Sequence, residues 1–216
     1  MDRTSISQEY LLLVLDKNGY IPPMRREESN AGLTAACFMD LLLNEIITVN
    51  KKQITVTDDL PQELAYLTPI YTYLKEKNRS VSKMMTDYAA GVRLKPLMTE
   101  IGEAMAADGM VSKGEGGLFG TKVTYFPDKS RKEELLAHIK SAAADQSKMT
   151  AHDMALIFLL QKTKNLNQYF SKYEREQWKT VWKDIKKDPQ NKQLSKMIDE
   201  LNDWITVVLA AVLMYI

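Results

Sequence analysis

The sequence predicts an all-α fold: one compact helical domain over residues 1–216, with a buried apolar C-terminal helix and two short β-hairpins. Three observations carry that expectation. Apolar runs preceded by helix-starting residues recur along the chain. Alternating segments occur only twice, each directly after a helical one. The closing run ITVVLAAVLMYI, residues 205–216, has no charge and no strong breaker. A membrane-spanning helix needs about 20 apolar residues to cross a hydrocarbon core of about 30 Å. This run is shorter, and extending it backward meets Asp203, Glu200 and Asp199, which are costly inside a bilayer. It therefore reads as a helix buried on every side, ahead of a tail anchor or a homo-oligomer contact.

The elements follow in order. SISQEYLLLVLD places Ser5 as an N-cap with Gln8 three residues on, then an apolar run. The loop KNGYIPPMRREES carries Gly19 and the Pro22-Pro23 pair as breakers. Ser29 or Asn30 is expected to cap the next helix, through GLTAACFMDLLLNE. IITVNKKQITVT alternates at period two around Lys51-Lys52, a hairpin. Pro61 opens the helix QELAYLTPIYTYLKEK, and internal Pro69 predicts a kink in it. A helix from near Ser80 breaks around Gly91. LKPLMTEIGEAMAADGM is another, ending by Gly109 and leading into the glycine-containing hairpin VSKGEGGLFGTKVTYF. After Asp128 come three or four more helices, two with capping boxes: Thr150 with Asp153, and Ser171 with Glu174. The last opens near Pro189.

Composition bounds the function. The chain is 45% hydrophobic and 26% charged with net charge +1, so no global field draws it to nucleic acid or anionic lipid, and any such contact needs a local patch. The single cysteine, Cys37, lies in the apolar stretch AACFMDLLL and reads as a buried thiol in a reducing cytosol. The N-terminus has no signal-peptide core, so the expected location is cytoplasmic. His138 and His152 each fall in a helical pattern, and no CxxC or HExxH spacing offers a metal site. GEGGLFG lacks the following Lys-Ser/Thr of a phosphate-binding loop and reads as a hairpin turn. The acid pairs Glu27-Glu28, Asp58-Asp59 and Glu133-Glu134 sit beside turns or helix starts, where carboxylates complement the helix dipole. Nothing makes a case for an enzyme, a metal or a cofactor.

Two stretches carry candidate function. In MRREE, Arg25 and Arg26 precede a helix N-terminus, an arrangement suited to an anion; the competing reading is a solvated loop pairing its own Glu27 and Glu28. Leu118 and Phe119 lie between glycines at the second hairpin's tip, where neighbouring side chains point to opposite faces. An exposed Phe there suits a bilayer interface or another subunit, and a Phe folded back suits the core.

The ordered set EYLLLVLDKNGYI, NAGLTAACFMDLLLNEIITV, ADGMV with a hairpin after it, MALIFLLQKT and a C-terminal apolar helix resembles the Golgi phosphoprotein 3 family across nearly the whole chain. The resemblance implies an all-helical domain with the C-terminal helix at its centre. It implies a non-enzymatic peripheral membrane protein, since eukaryotic members bind phosphatidylinositol 4-phosphate. It also implies oligomer and membrane contacts through the hairpin of residues 111–126, with Leu118 and Phe119 at its apolar part. The family's headgroup contacts fall here on Met24 or Arg25, on Thr34, and on Lys95 and Met98. Only Lys95 keeps a charge, with Arg25 or Arg26 to supply another. Losing two charged hydrogen bonds, at about 1.5–3 kcal/mol each, removes roughly 3–6 kcal/mol of headgroup recognition. The chain looks like a bacterial relative, cytoplasmic or peripheral at the inner membrane face.

Two other readings stand beside this one. A cytosolic interaction scaffold fits the near-zero net charge and the missing arginines. A winged-helix-like DNA binder fits a helix followed by a hairpin with Lys51-Lys52 at its turn. However, TAACFMDLLLNE lacks the basic and amide face that reads bases, and the chain lacks a basic excess, so no nucleic acid is expected.

Overall fold

The computed structural model describes residues 5–89, 92–116, 122–144 and 149–187, with isolated helical positions at 199, 206 and 210. The order is α1 (Ile6–Val14), a 3-10 turn (Pro23–Arg25), α2 (Arg26–Leu43), β1 (Ile47–Asn50), β2 (Gln53–Val56), a 3-10 turn (Gln62–Leu67), α3 (Thr68–Lys75), β3 (Arg79–Ser80), α4 (Val81–Ala89) and α5 (Leu94–Ala107). Then come β4 (Val111–Gly116), β5 (Lys122–Pro127), α6 (Lys129–Ala144), α7 (Ala151–Lys162), a 3-10 turn (Asn165–Gln168) and α8 (Lys172–Lys187). The protein is mainly helical with two small antiparallel sheets, β1-β2-β3 and β4-β5. Of the expected C-terminal apolar helix only Thr206 and Ala210 are described, both helical and exposed; its start near Pro189, and Leu118 and Phe119, lie outside the described residues.

The helix starts follow local chemistry. Both predicted partners close the capping boxes at Ser5–Gln8 and Thr150–Asp153, and Ser171 and Glu174 exchange the same pair of bonds. Four expectations are corrected. Ser29 and Asn30 do not cap α2, which begins at Arg26 because the 3-10 turn feeds straight into it. Ser29 is instead buried and accepts from the Asn165 amide at 2.9 Å. Pro69 does not kink a helix: it sits in the first turn of α3, where its missing N–H is harmless. Pro61 precedes a separate 3-10 turn. Finally, Arg79–Ser80 adds a third strand to the first hairpin, pairing with Gln53 and Ile54.

Twice a helix feeds a hairpin, and the joint is the same. After α2, Ile46 N–H donates to the Leu41 carbonyl and Glu45 N–H to that of Leu42. After α5, Met110 donates to Met105 and Gly109 to Ala106. The pivots, Glu45 (φ 60) and Gly109 (φ 66), are left-handed, as this helix-ending motif requires. Lys51 and Lys52, also left-handed, make the tight turn of the first hairpin, whose register pairs Ile47 with Val56.

The core forms where α1, α2 and α7 pack together. Residues 153–160 of α7 are buried without a break. Ser29 and residues 31–41 of α2 are buried too, so this helix has no open face to lay in a DNA groove. Cys37 is buried in α2, and burial pushes its thiol well above the usual range, as an inert core cysteine requires. At the crossing of α1 and α2, Gly32 faces Tyr10: a Cβ there would lie 2.1 Å from the phenol oxygen. Tyr10 is fully buried and donates to Thr163 Oγ1 at 3.0 Å, while Asn165 Nδ2 donates to Thr163 Oγ1 at 3.1 Å and to Ser29 Oγ.

Candidate headgroup-binding surface

Pro22 and Pro23 stiffen the loop that ends in the 3-10 turn Pro23–Arg25. Met24 therefore projects from a defined turn and is 91% exposed. Arg25 is half-buried, and Arg26 is exposed at the first position of α2. Among the described residues no side chain caps this helix; its first N–H, that of Arg26, donates to the Pro23 carbonyl of the 3-10 turn. Glu27 and Glu28 lie in the first turn, but Glu28 reaches Lys164 at 4.0 Å rather than either arginine.

Arg25 has basic and aromatic company that sequence reading missed. Lys132 of α6 donates to the Leu15 carbonyl at 2.6 Å, and the Tyr169 hydroxyl donates to the Leu13 carbonyl. Both satisfy carbonyls that the end of α1 leaves open. The Lys132 ammonium stands 5.6 Å from the centre of the Tyr169 ring. Burial brings Lys132 down to about 8, with Asp16 acting against it. Burial raises the Tyr169 phenol to about 12, and the nearby charge of Arg25 opposes that shift. Lys132 and Tyr169 meet α1 across more than a hundred residues of chain, so no local pattern announces them.

The same loop rests on the second hairpin. A Cβ on Gly19 (φ 76) would strike Thr124 and the Tyr125 carbonyl, and one on Gly116 would lie 2.7 Å from the Tyr20 hydroxyl. These glycines let the loop and hairpin approach closely. Tyr20 is 41% exposed, and Val123 beside Lys122 is 56% exposed. Tyr125 then ties the hairpin to α5, donating to Glu103 Oε1 at 2.8 Å and packing over Gly102.

The predicted residues separate into three groups. Met24, Arg25 and Arg26 share one turn. Lys95 (exposed) and Met98 (half-buried) stand on α5, and Thr99 donates to the Lys95 carbonyl one helical turn above. Among the described residues no hydrogen bond or ion pair joins them to the Met24–Arg26 turn. Thr34 is fully buried with its hydroxyl donated to the Asn30 carbonyl, which places it in the core and not at a ligand. The other titratable groups make structural pairs: His138 with Asp153 at 2.8 Å, His152 with Glu9 at 2.7 Å, Asp59 with Lys75, and Glu133 with Lys129. Among the described residues no three His, Cys, Asp or Glu side chains are grouped to hold a metal, and no helix is long and apolar enough to cross a membrane.

The class in view is a mainly helical fold with a hairpin at each of two helix ends and an exposed turn carrying Met24 and Arg26. The family model described as Golgi phosphoprotein 3 (GPP34) matches residues 6–201, and the chain belongs to that family. Comparison with curated proteins gave no match.

Proposed function

We propose that this protein is a non-enzymatic peripheral membrane module that binds anionic phospholipid headgroups through the Met24–Arg26 turn. The observation that carries this reading is a methionine 91% exposed, next to two arginines at an uncapped helix N-terminus. The two arginines and the positive end of the α2 dipole match phosphate oxygens, and the thioether side chain suits the acyl boundary. Family membership supports the reading, since eukaryotic relatives bind phosphatidylinositol 4-phosphate. Lys132, against Tyr169, adds charge on the Arg25 side, while Lys95 stands apart on α5. With Thr34 buried and Met98 uncharged, discrimination among anionic lipids is weak. The hairpin of residues 111–126 acts as a second membrane contact or as a homo-oligomer contact at the inner face of a cytoplasmic membrane.

Vesicle co-sedimentation tests the site. The Arg25→Glu/Arg26→Glu variant is expected to lose most of its binding to anionic vesicles while keeping its melting temperature, because neither side chain supports the core. Equal binding by the variant and the wild type would remove the site assignment. If neither binds any vesicle, the cytosolic scaffold replaces this reading.

A further inference from the structure

A second site lies elsewhere on the molecule. A cavity of about 520 Å³ opens where the starts of α1 and α7 meet α2 and the 3-10 turn Gln62–Leu67. At its base Asp40 of α2 is 2% exposed, and its carboxylate accepts the Ile6 N–H at 2.8 Å and the Ser7 N–H at 2.9 Å. The Ser7 hydroxyl bonds the carboxylate as well, so of its roughly four acceptor positions one remains open. Among the described residues no cation pairs with Asp40. The imidazole nearest to it, His152, is held by Glu9 at 2.7 Å. Burial pushes the Asp40 carboxyl up to about 6, the signature of a buried acid short of positive charge.

Tyr66 supplies the independent observation. It is 8% exposed and lines the cavity, and among the described residues its hydroxyl is buried without a hydrogen-bond partner. The Ser5 and Ser7 hydroxyls are close enough to influence it. They are engaged with each other at 3.1 Å, and Ser5 also bonds Gln8 Oε1. Buried hydroxyls in native proteins are nearly always paired, so this one marks a place for a ligand atom. The two helix N-termini at the cavity already have carboxylates, Asp40 on α1 and Asp153 on α7, so an anion has no role here. What remains is a carboxylate with spare acceptor capacity, an unpaired hydroxyl, an exposed carboxylate (Glu63) at the mouth, and an aliphatic wall.

We propose that this cavity binds a small primary alkylammonium, its N–H donors shared between the Asp40 carboxylate and the Tyr66 hydroxyl and its stem along Leu43, Pro61 and Leu64. An ammonium has three donors and no acceptor, the complement of this lining. The site does not depend on the headgroup surface, so failure of vesicle binding leaves it intact.

Calorimetric titration of the full chain with butylamine, putrescine and butanol is the test. Both amines are expected to bind saturably and butanol not at all. Tyr66→Phe is expected to weaken both amines by roughly tenfold, the loss of one hydrogen bond. Glu63→Gln, at an exposed position that leaves the fold alone, is expected to weaken putrescine and spare butylamine. No saturable amine binding by the wild type, equal binding of butanol, or full affinity in Tyr66→Phe would each overturn the proposal. N-acetyl-lysinamide is the side-chain arm: tighter binding than butylamine would move the occupant to a partner's lysine and overturn the free-ligand assignment.

Discussion

Gly32→Ala tests how α1 and α2 are held together. The exchange alone favours the folded state, since alanine in a helix is about 1 kcal/mol better than glycine. The surroundings reverse the sign. The new methyl carbon would lie 2.1 Å from the Tyr10 oxygen, 2.5 Å from its Cζ and 2.8 Å from Thr163 Cγ2. Tyr10 is fully buried and hydrogen-bonded to Thr163, so it has no free direction of retreat. Overpacking costs about 1–3 kcal/mol. Displacing the phenol leaves buried partners unpaired at about 1–3 kcal/mol more. After the propensity gain, the net loss is about 1–5 kcal/mol, centred near 3. For a chain of this size 1 kcal/mol moves the melting temperature by about 2–4 °C, so a fall of roughly 6–12 °C is expected by circular dichroism. Adding Tyr10→Phe removes the oxygen nearest the clash and should recover part of that fall. A Gly32→Ala protein melting at or above the wild type would refute this packing.

Other perturbations have defined outcomes. Burial alone would raise the Asp153 carboxyl, but bonds from Thr150 and His138 outweigh it and hold the group below its usual range. That stability is present above the ordinary carboxylate pKa and is lost as pH falls through the lowered folded value. Asp153→Ala, which removes the N3 half of the capping box, should therefore lower thermal stability at pH 7 by about 1 kcal/mol, and the gap to the wild type should close in strong acid. Lys132 also gains stability as pH rises, but by losing a penalty: its folded pKa is lowered to about 8, so its charge disfavours the fold at pH 7 and that penalty fades as pH rises from 8 toward 10.5. Carbon-13 NMR of the lysine side chains should show one resonance titrating near 8 that disappears in Lys132→Met; titration of every lysine above 10 would contradict the burial. Ser171→Ala should fray the start of α8 at a cost of about 1 kcal/mol, read as faster amide exchange at residues 173–175.

What could be read from the chain was what local chemistry writes. Ser5, Thr150 and Ser171 announce their helices because cap and partner lie three residues apart. The Pro22-Pro23 pair announces the Met24–Arg26 turn. Ser29 misleads because a good capping residue can also be a buried hydroxyl, and its actual partner, Asn165, is 136 positions away. Glu45 was not legible as a left-handed pivot, since that position usually calls for glycine. The strand Arg79–Ser80 is too short for an alternating pattern. In the site, the family resemblance placed Thr34 beside a headgroup, but packing decides which face of α2 is buried. Lys132, Tyr169 and Tyr66 depend on contacts between distant segments and carry no local signal.

The most direct measurement is co-sedimentation of the full chain with three vesicle types at moderate salt: neutral lipid, neutral lipid with generic anionic lipid, and neutral lipid with phosphatidylinositol 4-phosphate. Binding to both anionic vesicles, absent on neutral ones and weakening as salt rises, is expected of a surface built on Arg25, Arg26 and exposed Met24. Retention in the supernatant with all three would contradict a membrane role for that surface.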